Sequence, residues 1–324
     1  PRLAWRQELE AQGRLAAGER RDPEPLLAWA EGPRWLASRP WLRVLSWVGP
    51  LLLIGLIVAQ LTGVIAAPLW VVAFVANLLL SQLLGRPANT IALGVNAHHW
   101  ALLGYARQIA LVSELDVSAP LLVRLKHDLS AAGEPAPALL RRLSRISAFP
   151  MPLASPLYLP LQAICFWDIH VLAAMERWQT VAGPHVRQWL ETLGEVEALA
   201  GLAGLAHDNP TWAFPDLDPA ADTFDATALG HPLLADSVRV TNDVTVGPPG
   251  TFLLVTGSNM SGKSTLLRSI GVNTVLAGAG APVCARSLSL PPVSLWTSVR
   301  VQDSLERGVS FFMAELQRLK LVVA

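Results

Sequence analysis

Charge is what this sequence has least of. Residues 44–85 contain no Asp, Glu, Lys or Arg, and charged residues make up only 15% of the 324-residue chain. Soluble domains average about a quarter charged, so much of this chain is expected in a core or in lipid. Net charge is also missing: 25 Lys plus Arg balance 25 Asp plus Glu. That balance excludes a generally basic nucleic-acid-binding face and leaves room only for local patches. Cysteine is nearly absent. Cys165 and Cys284 have no metal-ligand spacing and read as reduced thiols rather than a bridge. No secretory signal opens the chain. It begins with Pro1 and stops in a helix-like run, so a piece of a longer protein is expected.

The uncharged stretch is too long for one membrane crossing, which takes about 20 residues for about 30 Å of hydrocarbon. It fits two. The break falls between Gly63 and Pro68, a residue suited to opening a helix, which predicts a transmembrane helical hairpin over Leu45–Val64 and Pro68–Leu84. Trp41, Trp47 and Trp70 fall near its ends, where interfacial tryptophans belong. Arg34, Arg39 and Arg43 precede the hairpin and Arg86 follows it, so both flanks are expected in the cytoplasm. A buried apolar hairpin of a large soluble core is the competing reading.

Residues 86–208 read as an all-α middle region. Apolar residues recur at three- and four-residue spacing over Ala101–Leu115, Leu121–Leu129 and Ala138–Ile146. Further helices are expected over Leu161–Trp178 and His185–Ala206, with prolines at 135, 137, 150, 152, 156 and 160 as punctuation. His98 and His99 point to different faces, as do Asp168 and His170, so structural roles are expected. Glu191, Glu195 and Glu197 read as a solvated helix surface. Arg141, Arg142 and Arg145 form a basic cluster suited to solvent, phosphate or anionic lipid. Residues 209–229 read as a linker. Beyond Gly230, short β-like runs follow at Val238–Val240, Val244–Val246 and Phe252–Val255.

The most specific chemistry lies at Gly257-Ser258-Asn259-Met260-Ser261-Gly262-Lys263-Ser264-Thr265. An apolar run, Thr251–Thr256, precedes it and a helix-compatible segment, Lys263–Leu276, follows. This is the Gly-x-x-x-x-Gly-Lys-Ser pattern in a strand–loop–helix setting. Its glycines permit turns that aim N–H groups at phosphate, and the new helix adds its positive end. Lys263, the candidate catalytic residue, is suited to the β- and γ-phosphates of ATP and Ser264 to Mg²⁺.

Thr256–Arg268 resembles the ATPase domain of the MutS DNA mismatch-repair family, whose loop carries the same Asn-Met pair. Gly230-His231-Pro232-Leu233-Leu234 and Val240-Thr241-Asn242-Asp243 resemble that family's His-Pro element and adenine-side segment. Ala281–Ala285, Thr297–Val301 and Gly308–Leu316 fall in the family's order. The resemblance implies an adenine side at Arg239, Val240 and Asn242. It also implies a subunit-linking segment at Asp303 and a trans-subunit contact from Ser310, beside Phe311 where repair enzymes usually carry Thr. It further implies a homodimer that sandwiches two nucleotides, and binding of mismatched DNA. The expected fold is α+β multidomain. Its parts are a cytoplasmic segment (1–43), transmembrane hairpin (44–85), helical region (86–208), linker (209–229) and incomplete α/β P-loop NTPase domain (230–324).

With the hairpin, the resemblance is closest to membrane-associated, MutS-related bacterial proteins of the inner membrane. No Phe-x-Glu mismatch-reading motif occurs in these residues. No apolar run ending in Asp-Glu follows residue 265, so binding of ATP is expected and hydrolysis by this chain alone is expected to be slow. A Leu-Ser-Gly-Gly signature is likewise missing, which disfavours an ABC-type transporter.

Overall fold

The computed structural model of the chain describes residues 22–129, 133–298 and 320. The chain is rich in α-helix, with one small mixed sheet. It divides into two compact units at residues 198 and 199.

In the first unit, α1 (Glu24–Glu31) leads into α2 (Pro40–Leu61) and α3 (Leu69–Asn96). These are the two helices long and apolar enough to cross a membrane among the described residues, at mean hydropathy 2.1 and 1.6. Their apolar side chains mostly face outward: Trp47, Leu51, Leu52, Ile54, Val72, Leu79 and Leu83 are exposed. The two apolar helices expected there are present, with shifted ends. The turn at Thr62–Gly63, where Gly63 takes φ 76°, closes α2 earlier than expected. α3 runs on to Asn96 through Pro87. A proline removes one helical N–H, and burial of Ala88, Asn89 and Ala92 on the same helix offsets that loss.

Three shorter helices follow: α4 (His99–Ser113), α5 (Pro120–Asp128) and α6 (Ala136–Ser147). The face of α6 carrying Leu139, Leu140 and Leu143 is buried, and Arg141, Arg142 and Arg145 are exposed. α6 lies against α4, where His99 Nδ1 is 3.0 Å from the Ser144 carbonyl. α7 (Tyr158–Cys165) then bends by 75° into α8 (Trp167–Asp208). α8 is one helix of 42 residues through Pro184, where two were expected. Around that proline, Gln179 Nε2 donates to the Trp29 and Gly32 carbonyls at 2.8 and 2.9 Å. Trp29 also stacks on Trp178, so packing from α1 holds the helix continuous.

Glu191 and Glu195 are exposed, as their sequence reading expects. Glu197 is exposed as well, and in addition its carboxylate accepts a 2.8 Å hydrogen bond from Gln108 Nε2 on α4. Burial raises its carboxyl above the ordinary 4.5, against that hydrogen bond. A raised folded-state value means that folding takes up a proton. This group's contribution is therefore full below about pH 4.5 and falls as pH rises through the raised value. Glu197→Gln is expected to raise the melting temperature by on the order of 1–2 °C at pH 7 and to leave it unchanged near pH 4. Melting curves at the two pH values check this, and an equal shift at both refutes it.

The second unit contains four strands, β1 (Asp216–Leu217), β2 (Phe224–Leu229), β3 (Asn242–Val246) and β4 (Ser287–Leu290), in the order β1-β4-β2-β3. β1 and β4 are parallel; β2 is antiparallel to both its neighbours. Helix α9 (Lys263–Gly278) packs on the sheet. Ala277, Ile270 and Leu276 from the helix meet Ala226, Leu229, Val244, Val283 and Leu288.

Three sequence readings change here. The linker expected at 209–229 contains β1 and the central strand β2, because their pairing partners lie in β3 and β4. Val238–Val240 is a turn, not a strand, since Val238 and Arg239 both donate N–H groups to the Ala235 carbonyl. Thr251–Thr256 is extended but unpaired among the described residues, with Phe252 and Leu254 exposed. A strand needs a neighbour for its N–H and C=O groups, and none is beside it there. The expected subunit-linking Asp303 and trans-subunit Ser310, with Phe311 beside it, lie outside the described residues.

Candidate functional site

The loop 257–262 is built by three left-handed or near-left-handed residues: Gly257 (φ 154°), Met260 (φ 65°) and Gly262 (φ 88°). At Gly257 the positive φ favours glycine, and a Cβ there would also lie 2.8 Å from Ser261 Oγ, which would have to turn away. Met260 pays a conformational cost as a non-glycine residue at positive φ and is fully exposed. Gly262 forms the N-cap of α9 and leaves that helix without a side-chain cap. The first N–H groups of a helix have no partners within it. Those of Lys263, Ser264 and Thr265 thus begin α9 at its electropositive end.

Lys263 turns back over the loop. Its Nζ donates to the Gly257 carbonyl at 2.6 Å and to the Ser258 carbonyl, with Ser261 Oγ 3.4 Å away. The ammonium is thus held among the oxygens of an exposed loop on a half-buried side chain, where an anion can compete for it. Ser258, Asn259 and Ser264 are part of the same exposed run; Thr265 begins the turn whose carbonyl accepts from Ser269 Oγ at 2.8 Å. An uncapped helix end, paired glycines and a lysine directed into the same loop suit phosphate oxygens. Among the described residues no group of three His, Cys, Asp or Glu is arranged for a metal ion. Ser264, expected from the sequence to face Mg²⁺, is exposed in the first turn of α9.

The residues expected on the adenine side lie in the turn and strand that precede the loop. The Arg239 guanidinium pairs with Asp236, donates to the His231 and Leu234 carbonyls, and lies 5.6 Å from the Trp212 ring centroid. It braces the 230–239 turn. Val240 is exposed, and Asn242 starts β3 opposite Leu229. Asp243 Oδ1 instead receives the Ala228 N–H at 2.8 Å, at the bulge where β2 departs from regular pairing.

The residue that joins these pieces was not singled out by the sequence. Asn273, fully buried on α9, donates to the Gly230 carbonyl at 3.0 Å and to the Ser269 carbonyl at 2.7 Å. Its Oδ1 accepts the Cys284 N–H at 2.7 Å, while Gly230 and Cys284 also share a backbone bond. A mid-helix asparagine has weak helix propensity, which is its one sequence signal. Burial raises the Cys284 thiol above its ordinary value, in keeping with a reduced, unreactive cysteine.

Residues 253–324 match the family model of MutS domain V. DNA mismatch repair protein MutS 1 of Haloarcula marismortui is 38% identical over 134 residues, covering 41% of this chain and 14% of its own length. DNA mismatch repair protein MutS of Azorhizobium caulinodans is 38% identical over 143 residues, 40% of this chain and 15% of its own. That of Thermotoga neapolitana is 30% identical over 142 residues, 43% of this chain and 18% of its own. The chain thus spans under a fifth of the length of these relatives.

Proposed function

We propose that this chain, whose C-terminal part carries MutS-family sequence, belongs to a membrane-anchored ATP-binding protein whose nucleotide domains pair when nucleotide binds. The observation that carries the reading is the loop at 257–263, with its uncapped helix start and its lysine held among exposed carbonyls. In this reading Lys263 contacts the outer phosphates, the N–H groups from Gly262 to Thr265 line the phosphate path, and Ser264 holds Mg²⁺. The bound nucleotide supplies phosphate charge; the protein supplies orientation and an electropositive end. Ser310 is the candidate contact to a second copy, by its family position.

The hairpin supports the membrane part of the proposal, because α2 and α3 present apolar side chains outward over a stretch without charge. Arginines on both flanks support a cytoplasmic position for the ATP-binding part, at the inner membrane of a bacterium. The relatives are named for DNA mismatch repair, and mismatched DNA is the second reading. Zero net charge favours the nucleotide reading over it.

Titration of the intact chain in lipid nanodiscs with a fluorescent ATP analogue and Mg²⁺ tests the main reading. Saturable binding at about 1–100 µM, within the usual range for enzyme substrates and displaced by ATP, is expected. No displaceable signal at millimolar ATP rejects it. A parallel titration with matched and mismatched duplexes tests the second reading, and equal affinities reject mismatch recognition.

A further inference from the structure

A second uncharged run has no role in the nucleotide site. Residues 146–167 contain no Asp, Glu, Lys or Arg and four prolines, at 150, 152, 156 and 160. In this run Phe149, Leu153, Leu157, Leu159 and Ile164 are about half exposed or more. Polar side chains take the inside instead. On α7 the buried residues are Tyr158, Gln162 and Ala163. Tyr158 Oη donates to Asp168 Oδ2 at 2.8 Å, and Asn89 Nδ2 donates to the same carboxylate at 3.1 Å. A helix in water has the opposite arrangement, with apolar residues inward and polar residues outward.

The position of this segment beside the hairpin is fixed by contacts at its elbow. Phe166, left-handed and fully buried, separates α7 from α8. A Cβ at Gly49 would lie 2.8 Å from Phe166 Cε2 and 2.7 Å from Asn77 Oδ1. The Trp47 and His170 rings meet edge to face at 5.1 Å, and His170 Nε2 is 3.3 Å from the Ser46 carbonyl. These hairpin residues all lie inside the uncharged stretch. At 1.5 Å per helical residue, Gly49 is about 9 Å past Arg43, and Asn77 is about 13 Å from Arg86. Against about 30 Å of hydrocarbon, the elbow reaches roughly a third to nearly half of the way in. Non-helical backbone is tolerated at that depth only where protein covers it, and the Phe166 elbow is covered.

We propose that residues 149–166 form a re-entrant element, embedded beside the hairpin and in contact with lipid acyl chains of the leaflet on the arginine side. The inference rests on the membrane reading of α2 and α3. On its inside Tyr158 and Asn89 bond to Asp168, and the side chains it offers to lipid are apolar, led by Phe149, Leu153, Leu157, Leu159 and Ile164.

Single cysteines in a Cys165→Ser, Cys284→Ser chain test it. Leu159→Cys and Ile164→Cys carry a nitroxide label and are compared with Leu51→Cys and Leu79→Cys on the hairpin and with Leu233→Cys in the second unit. In phosphatidylcholine liposomes, the labels at 159 and 164 are expected to collide with oxygen more than with a water-soluble nickel chelate, as at 51 and 79. The label at 233 is expected to show the reverse. Leu153→Cys gives the same reading outside α7 if a helical substitution disturbs folding. Water-like labels at 153, 159 and 164 beside lipid-like labels at 51 and 79 overturn the re-entrant element alone. Water-like labels at 51 and 79 overturn the membrane reading and this inference together.

Discussion

Lys263→Ala is expected to weaken ATP binding by about 100-fold while leaving the chain folded. Hydrogen bonds to charged groups contribute roughly 1.5–3 kcal/mol each, and loss of the ammonium at two phosphates amounts to about 3 kcal/mol, or about two powers of ten. The residue is half-buried and bonds to carbonyls and a hydroxyl of its own loop, whose residues are exposed, so its removal strands no buried partner. The helix start remains, since backbone N–H groups supply it, and weak residual binding is expected from them. Lys263→Arg keeps the charge but not its compact shape and should fall between. The measurement is displacement of a fluorescent ATP analogue from the intact chain. Equal dissociation constants for the parent and Lys263→Ala would remove this loop from the binding site.

The largest expected effect on stability is at Asn273. Asn273→Leu keeps similar bulk but loses both the donor to Gly230 and the acceptor for Cys284. A buried polar group left without a partner costs roughly 1–3 kcal/mol, and two such groups together cost about 3–4 kcal/mol. Ser269 is less affected, because its carbonyl belongs to the helix ladder. Hydrogen exchange over residues 269–288 reads the loss locally. Faster exchange there, with residues 136–147 of the first unit unchanged, is the expected pattern. A loss below about 1 kcal/mol would mean that Asn273 does not join the turn to the helix.

The helical content was legible because it is written locally. The charge gap gave the hairpin, and three- and four-residue spacing gave α4, α5 and α6 to within a few residues. Prolines misled where packing compensates: Pro87 and Pro184 lie inside helices, held by neighbours distant in sequence. The sheet was least legible. Phe224–Leu229 carries Asp and Thr among its apolar residues and becomes central only because β3 and β4 flank it, twenty and sixty-four positions away by register at Asp225–Thr245 and Asp225–Ser289. Thr251–Thr256 shows the converse, a run of strand formers without a partner beside it among the described residues. At the site, the glycine and lysine spacing was readable because few backbones serve it. The join at Asn273 was not, since its three partners meet it only in space.

The exposed, left-handed Met260 ties the loop to oxidative chemistry. Met175 is fully buried and Met151 half-buried, so a peroxide in solution reaches the thioether at 260 first among the described methionines. Its sulfoxide is bulkier, polar and chiral, and is reversed only by dedicated reductases. Among the described methionines, oxidative injury therefore begins on the rim of the glycine-rich loop, while the buried Met175 is shielded.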